Sequence, residues 1–423
     1  TAGIDFTQYF KNRLYYIDVK GMLSSLHGSA GAITALQNSV AHYYQRASSA
    51  DYLGVDPTRR SLTGTGGYVK VGRKGNAKWN FSETFTWSSP GFDLNDMGYM
   101  KETDYLMNET EIMYRQTDIW KIFRYNAFTL SQKNMWNYGG TPFSNNASLR
   151  WQSMTMNRYE WDVKETFAWN WLDSRLLRGG PDVRFGSYFL TSAKFNTDKA
   201  KRMMFMLKYE GDHNFEGNRF NTISPSLTFR LGNHVYLSGQ LDYAWNTDEM
   251  QYVATTSPLS SSSLTPYYYV MGHMDQKTYG LTLKLQVNVT PDISIQFYGA
   301  PFTSIAKYDD FKLAADTKSH TFENRFQRID PDHLTYADGV YTIGEGAGQM
   351  PFRNPDFRFN EFRSNLVARW EYLPGSTLYF VWEHRMSNRD NWYSSGWGSN
   401  LDRMWGLPAT NTFMIKMNYW FNL

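Results

Sequence analysis

The 423-residue sequence contains no cysteine, so neither disulfide bonds nor thiolate metal ligands can form. It also contains no run of about 18 apolar residues, which excludes a helical membrane span. Neither sign of charge is in excess, with 43 basic and 40 acidic residues, and this balance gives no reason to expect a nucleic-acid partner. The chain begins at Thr1 without a methionine or a signal peptide, so we expect a processed or partial chain.

Aromatic residues, in contrast, are abundant. They make up 17% of the chain although the mean hydropathy is negative, at −0.56. This combination is typical of transmembrane β-barrels, in which lipid-facing residues alternate with polar lumen residues and aromatic belts mark both interfaces. A soluble array of β-sandwiches would also alternate, but with strands of about five or six residues and similar turns at both ends.

The connections between predicted strands favour the barrel. The alternation predicts seventeen strands, and short turns such as Gly232-Asn233 and Pro374-Gly375 carry the residue types that supply turn dihedrals. The intervening connections are long, and they lie near residues 26–60, 89–104, 135–145, 172–184, 213–219, 257–266, 305–357 and 388–409. Short periplasmic turns and long extracellular loops are the arrangement of outer-membrane barrels. We therefore predict an all-β, antiparallel transmembrane barrel over residues 1–423, with 26–60, 305–357 and 388–409 as its large extracellular loops.

The C-terminal strands alternate most regularly. Leu281, Leu283 and Leu285 share one face, whereas Thr282 and Lys284 share the other. The final segment, 412–423, alternates in the same way, and we expect its apolar face to contact lipid. The charged residues that this pattern turns toward the lumen are Lys284, Arg363, Arg369, Glu371, Glu383, Arg385 and Lys416.

The N-terminal half is less regular. Glu83 shares a predicted face with Phe81 and Phe85, and Glu165 shares one with Trp161 and Phe167. A charged group on the lipid face is unfavourable. Either this part of the wall contacts another protein at Glu83 and Glu165, or a β-bulge turns each glutamate inward.

The predicted strand count is odd, whereas single-chain bacterial barrels have even numbers of strands. The first predicted strand starts on the outer rim and the last one ends in the periplasm. We therefore expect 18 or more strands in the intact barrel, with further strands before Thr1 or on another chain. A small hairpin within 334–343 would add two strands and leave the count odd.

Two loop segments contain local sequence patterns, one typical of a helix and one that could suggest a metal site. Segment 29–46 predicts a short helix, capped by Ser29 and with an apolar stripe of Ile33, Leu36 and Val40. Segment 328–339 gathers several carboxylates and a histidine, but their spacing matches no metal loop. No histidine of the chain lies in a motif with a nucleophile, so we predict no catalytic residue, cofactor or metal.

Four long segments resemble a known family: QNSVAHYYQRA, RSLTGTGGYVKVGR, WSSPGFDLNDMGYM and FRSNLVARWEYLPGSTLYFVWEHR. They are similar to the C-terminal barrel region of large Gram-negative envelope proteins whose function is unsettled. The resemblance implies that intact members carry an N-terminal domain similar to family-9 carbohydrate-binding modules. It implies no catalytic residues.

These observations leave three functions open. The first is passage of polar solutes, with oligosaccharides as candidates, across the bacterial outer membrane. The second is a structural or docking role in a larger outer-membrane assembly, and the third is a hydrolase at the outer rim. We expect outer-membrane lipid and lipopolysaccharide around the chain, other outer-membrane or periplasmic proteins as partners, a glycan as a candidate ligand, and no nucleic acid.

Overall fold

The computed structural model of the protein describes residues 1–46, 52–95, 98–259, 267–391 and 397–421. Seventeen strands form one antiparallel wall, and each pairs with its neighbours along the chain. The wall strands are β1 (Ala2–Phe10), β2 (Tyr15–His27), β3 (Ser61–Arg73), β4 (Trp79–Ser88), β5 (Tyr105–Gln116), β6 (Phe123–Trp136), β7 (Pro142–Thr155), β8 (Glu160–Trp169), β11 (Tyr188–Asn196), β12 (Met203–Asn214), β13 (Arg219–Leu231), β14 (Val235–Thr256), β15 (Tyr268–Asn288), β16 (Ile293–Ala314), β21 (Phe357–Leu373), β22 (Ser376–Asp390) and β23 (Thr410–Asn418). The predicted fold class, a large antiparallel barrel sheet of about 17 strands, is confirmed.

Within the described residues, six shorter strands and two α-helices lie in the connections, together with short 3₁₀ helices. The helices are α1 (Ala30–Gln37) and α2 (Trp397–Trp405), and the strands are β9 (Trp171–Asp173), β10 (Val183–Phe185), β17 (Phe326–Arg328), β18 (Leu334–Ala337), β19 (Val340–Ile343) and β20 (Met350–Arg353). Neither helix in the described residues has the length and apolar character of a membrane span. The small hairpin predicted within 334–343 is present, with Asp338 and Gly339 both at positive φ in its turn.

The predicted short turns, among them Gly232-Asn233 and Pro374-Gly375, lie at one end of the wall, since such turns join β1 to β2, β3 to β4 and so on to β21 and β22. Two predicted long connections are in fact short, because side chains close them tightly. Asn137 Oδ1 accepts a hydrogen bond from the Thr141 N–H in the connection 137–141. Asn214 Oδ1 accepts from the N–H groups of Glu216 and Asn218 in the connection 215–218.

The start predicted for the loop 305–357 is wrong by ten residues, whereas its predicted end agrees with the structure to within one residue. β16 continues to Ala314 and β21 begins at Phe357, so 305–314 and residue 357 are strand. The strands continue because a second apolar core forms beyond the wall, where Met274, Tyr308 and Phe311 pack against Ile343 and Phe352. The loops 26–60 and 388–409 agree with the ends of the adjoining strands to within a few residues.

Helix α1 starts as predicted and ends early. Ser29 Oγ accepts a hydrogen bond from the Ala32 N–H, and Ile33 is buried. The helix ends at Gln37, where the Asn38 N–H still bonds to the Thr34 carbonyl oxygen, and Val40 beyond it is exposed. The predicted apolar stripe is therefore covered at Ile33 and Leu36 but not at Val40.

Continuous register gives the wall two chemically distinct faces. Residues directly opposite each other in an antiparallel pair share a face. One apolar row crosses six strands from β14 to β23, and its members are Leu237, Leu285, Phe297, Leu366, Trp382 and Phe413. A parallel row on the other face consists of Ser238, Lys284, Tyr298, Asn365, Glu383 and Thr412. We call the apolar side the outer face and the polar side the inner face.

The two edges of the wall are β1 and β23. Along the described residues β1 pairs only with β2, and β23 pairs only with β22. Every residue of both strands is exposed, unlike in the other wall strands. Both run from the loop end of the wall to the turn end, so an antiparallel pair between them is not possible. The expectation of additional strands remains a prediction.

Candidate functional site

The inner face carries all seven residues predicted to face the lumen. Arg363 and Arg385 are directly opposite each other and both contact Glu361 Oε1, at 2.8 Å and 3.0 Å. Arg369 Nη2 lies 2.6 Å from Glu371 Oε2. Lys284, Glu383 and Lys416 are on the same face, and among the described residues none of these three forms an ion pair. The sequence analysis missed Glu361, although its place two residues before Arg363 puts it on the same face of β21.

The mixed charge extends to the N-terminal half of the inner face. Lys20 Nζ lies 3.0 Å from Asp5 Oδ2, and Lys208 Nζ lies 2.7 Å from Glu210 Oε2. Arg150 donates to Asp162 through Nε at 2.8 Å. Pairs as exposed as these contribute little to stability, so they determine the charge of the inner face more than they hold the wall together.

A recess of about 400 Å³ opens on the inner face of the C-terminal half. Its lining combines tyrosines and amides with one cation, and the main contributors are Tyr236, Lys284, Gln286, Gln296, Tyr298 and Asn365. Aromatic rings beside amide and ammonium donors offer contacts to polar hydroxylated molecules.

Glu83 and Glu165 both lie on the outer face. The pairing around each is continuous, so the alternative in which a bulge turns them inward does not apply. Glu83 accepts hydrogen bonds from Asn108 Nδ2 at 2.7 Å and Thr110 Oγ1 at 2.6 Å. Glu165 accepts one from Thr191 Oγ1 at 2.7 Å. Neighbouring polar side chains therefore partly satisfy both carboxylates.

The described residues of four loops at the long-loop end contact one another, and we call them the loop cap: residues 28–46 with 52–60, 89–95 with 98–104, 137–141, and 170–187. Asp104 joins the first three. Its carboxylate accepts from Arg46 Nη2 at 2.6 Å, from Tyr52 Oη at 2.6 Å and from the Tyr138 N–H at 3.1 Å. The sequence contains no motif that would have singled out Asp104, because each of its three partners lies far from it along the chain.

The loop cap folds onto the inner face. Asp93 N–H donates to Ser24 Oγ at 2.9 Å, and Ser24 is on the inner face of β2. A Cβ atom added at Gly64 would overlap the backbone of Gly91 and Phe92, and one at Gly66 would overlap the Phe92 ring. The glycines of segment 64–67 thus make room for the loop against β3, which is the sequence signal for this contact.

The fourth loop of the cap reaches the far side of the wall. Thr317, just after β16, donates from Oγ1 to the Asp182 carbonyl oxygen at 2.6 Å, and the Arg184 N–H donates to the Thr317 carbonyl oxygen at 2.9 Å. Leu177 and Val183 pack in one buried cluster with Met271. Loop 170–187 follows β8, and several strands separate β8 from β16. These contacts therefore connect distant parts of the wall at its loop end.

Beneath the cap lies a larger cavity of about 550 Å³. Its lining is aromatic and charged, and it includes Tyr43, Phe143, Trp171, Glu102, Asp173, Arg175 and Arg178. Met135 and Ser144 on the inner face of β6 and β7 complete it. The cavity therefore lies between the loop cap and the loop ends of β6 and β7 on the inner face.

Burial in the loop cap shifts the pKa values of His42 and Tyr44. Burial lowers the pKa of His42, and the nearby Asp93 carboxylate and Phe92 carbonyl oxygen offset this only in part. The His42 Nε2 atom is 3.2 Å from the Phe92 carbonyl oxygen. Burial raises the pKa of Tyr44 to about 12. Both shifts favour the neutral side chain, as expected where loops pack on a wall.

In the acidic segment 328–339, the contact that Asp330 makes stabilises the local backbone. Asp330 Oδ1 accepts from the Asp332 N–H at 3.0 Å and so caps a short 3₁₀ helix. Among the described residues, no group of three or more histidine or acidic side chains is close enough to hold a metal ion.

An apolar outer face, a charged inner face and loops gathered at one rim define a β-barrel wall protein. The sequence matches the family described as a domain of unknown function, DUF5916, over residues 28–423, and the chain therefore belongs to that family. A search among curated proteins found no match. The crystal structure of the siderophore receptor PirA from Acinetobacter baumannii is similar with a TM-score of 0.40 and 9% identity, over 98% of this chain and 70% of the receptor chain.

Proposed function

We propose that the protein is an outer-membrane β-barrel for passage of polar solutes. The observation that supports this proposal most is the division of the wall into an uninterrupted apolar row on one face and a row of mixed charge on the other. An apolar band outside and a polar interior are what a barrel needs to span a bilayer and hold water. Its location in the bacterial outer membrane is part of the proposal.

Oligosaccharides are the solutes that we propose. The inner recess and the cavity beneath the loop cap both combine aromatic rings with hydrogen-bonding groups. The resemblance to envelope proteins with a carbohydrate-binding-like domain supports the same choice. We propose this role without catalysis in these residues.

Conductance in planar phospholipid bilayers tests passage. We expect stepwise currents from the wild-type chain, or from the variant Gly64→Val, in which the loop cap is displaced from β3. Lys284→Glu on the inner face should shift the reversal potential toward cation selectivity. Lys307→Glu, on the outer side of β16, is the matched control and should leave it unchanged. If neither the wild type nor Gly64→Val conducts, passage is contradicted.

A docking role is a second candidate, and the outer-face glutamates favour it. Glu83 and Glu165 interrupt the apolar side of the N-terminal half, and neither of their hydrogen-bond sets uses a charged partner. A second outer-membrane protein that supplies a cation or amide donors there would complete the hydrogen bonding of both carboxylates. Glu83→Leu with Glu165→Leu should then reduce co-purification of that protein, and unchanged recovery would contradict the contact.

A further inference from the structure

Helix α2 folds to the opposite side of the wall from the loop cap. It contacts β16, β21 and β22. The Trp405 ring is 4.9 Å from the ring of Phe362, which belongs to the outer face because Leu366 and Phe362 are on the same side of β21. Met404 and Asn400 of α2 are buried, as is Met386 beneath them. The helix therefore covers part of the outer face.

A buried polar anchor holds α2 in this position. Arg358, on the outer face of β21, is 1% exposed and forms an ion pair with Asp390. Its Nη1 also lies 3.4 Å from Asn400 Oδ1 of α2. An arginine directed out of the wall would be unfavourable in lipid, and the helix encloses it.

The orientation of α2 follows from which strand residues it touches. β21 runs from the loop end toward the turn end, so Phe362 lies nearer to the turns than Arg358 does. Asn400 contacts Arg358 and Trp405 contacts Phe362, so the Trp405 flank is the one directed toward the turns. Leu401 shares this flank, since positions four apart are neighbours on a helix. Asp402 and Arg403 are on other sides of the helix and are exposed.

The height of Phe362 agrees with a membrane boundary. It lies about 12 residues from the turn at Pro374-Gly375, which at about 3.3 Å per residue and a tilt near 40° is roughly 30 Å above that turn. The apolar band of an outer-membrane barrel is about 25 Å tall. Trp405 is 55% exposed at this level, where aromatic rings prefer to lie.

We propose that α2 is an interfacial helix that rests in the outer leaflet, and its partner is the lipid surface around the barrel. Trp405 and Leu401 enter the boundary between acyl chains and headgroups, while Asp402 and Arg403 face the headgroups. The inference rests on the proposed membrane location. It adds a specific lipid contact made by a loop rather than by the wall.

The absence of cysteine allows a direct test with single spin labels. The full chain with Trp405→Cys, Leu401→Cys, Asp402→Cys or Ile415→Cys is labelled and reconstituted in phosphatidylethanolamine–phosphatidylglycerol vesicles. Ile415, on the outer face of β23, serves as the lipid reference. Collision rates with oxygen and with a water-soluble nickel chelate are then compared.

We expect the oxygen-to-nickel ratio at Trp405 and Leu401 to be several-fold higher than at Asp402 and to approach that at Ile415. Equal ratios at these three α2 positions, with a lipid-like Ile415, would overturn the interfacial helix and leave the membrane barrel standing. A water-like Ile415 would overturn the proposed membrane location and this inference with it. Retention of the heat-sensitive gel mobility of a folded barrel shows that each labelled chain is folded.

Discussion

Two loops leave the same rim of the wall and fold to opposite sides. In the β4–β5 loop, segment 89–95 lies on the inner face, where Gly64 and Gly66 leave space for Phe92. The β22–β23 loop carries α2 to the outer face, where Arg358 needs enclosure. The side on which a loop packs is thus decided by the strand ends beneath it. Glycines have no side chain and so leave room for a loop on the inner face. A polar side chain on the outer face, in contrast, requires a loop that covers it.

The largest expected effect comes from removal of the outer anchor. Arg358→Ala leaves Asp390 and Asn400 without the guanidinium that joins them, and breaking a buried ion pair costs about 3–5 kcal/mol. We expect a loss near 3 kcal/mol, because Asp390 retains some solvent, and α2 should become sensitive to protease. Urea unfolding and limited proteolysis measure both effects.

The matched control for this prediction is Arg363→Ala on the inner face of the same strand. The Arg363 side chain is 58% exposed and its pair with Glu361 should contribute about 0–1 kcal/mol. Equal losses in the two variants would show that α2 does not enclose Arg358.

The inner loop is the next target. In Gly64→Val the new side chain would overlap the Phe92 backbone, and such overpacking costs about 1–3 kcal/mol. Because the loop can move whereas the wall cannot, we expect release of segment 89–95 from Ser24, seen as new protease cleavage there, with an intact wall. Gly31→Ala is the control, since no atom lies within 4 Å of its added Cβ. An unchanged cleavage pattern in Gly64→Val would mean that the loop is not seated on β3.

Two histidines predict opposite responses to pH. The lowered pKa of His42 means that its contribution to cap stability is present above the unfolded value near 6.5 and is lost as the pH falls through the folded value. His273 lies near the loop end of β15. Burial alone would lower its pKa, but the hydrogen bond and charge of Glu249 raise it overall. Its contribution is present below about 6.5 and is lost as the pH rises through the folded value.

Acidification from pH 7.5 to 5.5 should therefore loosen segments 38–46 and 89–95 and protect the ends of β14 and β15. Hydrogen exchange of the individual peptides measures this difference, which we expect to be less than about tenfold in rate. His42→Asn should remove the response of the cap while the β14–β15 response persists. The same direction of change in both regions would contradict the assignment of these pH responses to His42 and His273.

The sequence predicted the wall much better than the loops, and the reason is the range of the interactions. A two-residue period is local, so it identified the seventeen strands and the faces of residues such as Lys284 and Arg369. The cap depends on contacts such as Arg46 with Asp104 and Asp182 with Thr317, which link distant positions and have no local period. The strand extension of β16 was missed for the same reason, because its cover comes from β18–β20.

The smallest expected effect concerns the outer face itself and compares its two halves. Glu83→Leu gains apolar surface but leaves Asn108 and Thr110 without their acceptor, so we expect the free energy of unfolding in lipid to change by less than about 1 kcal/mol. The reverse change, Leu285→Glu, places a carboxylate between Leu237 and Phe297, where no such donors are directly opposite. It should destabilise the barrel by more, about 1–2 kcal/mol. Equal effects would show that the hydrogen bonds of Glu83 do not offset its charge, and a partner protein would then be needed to explain the residue.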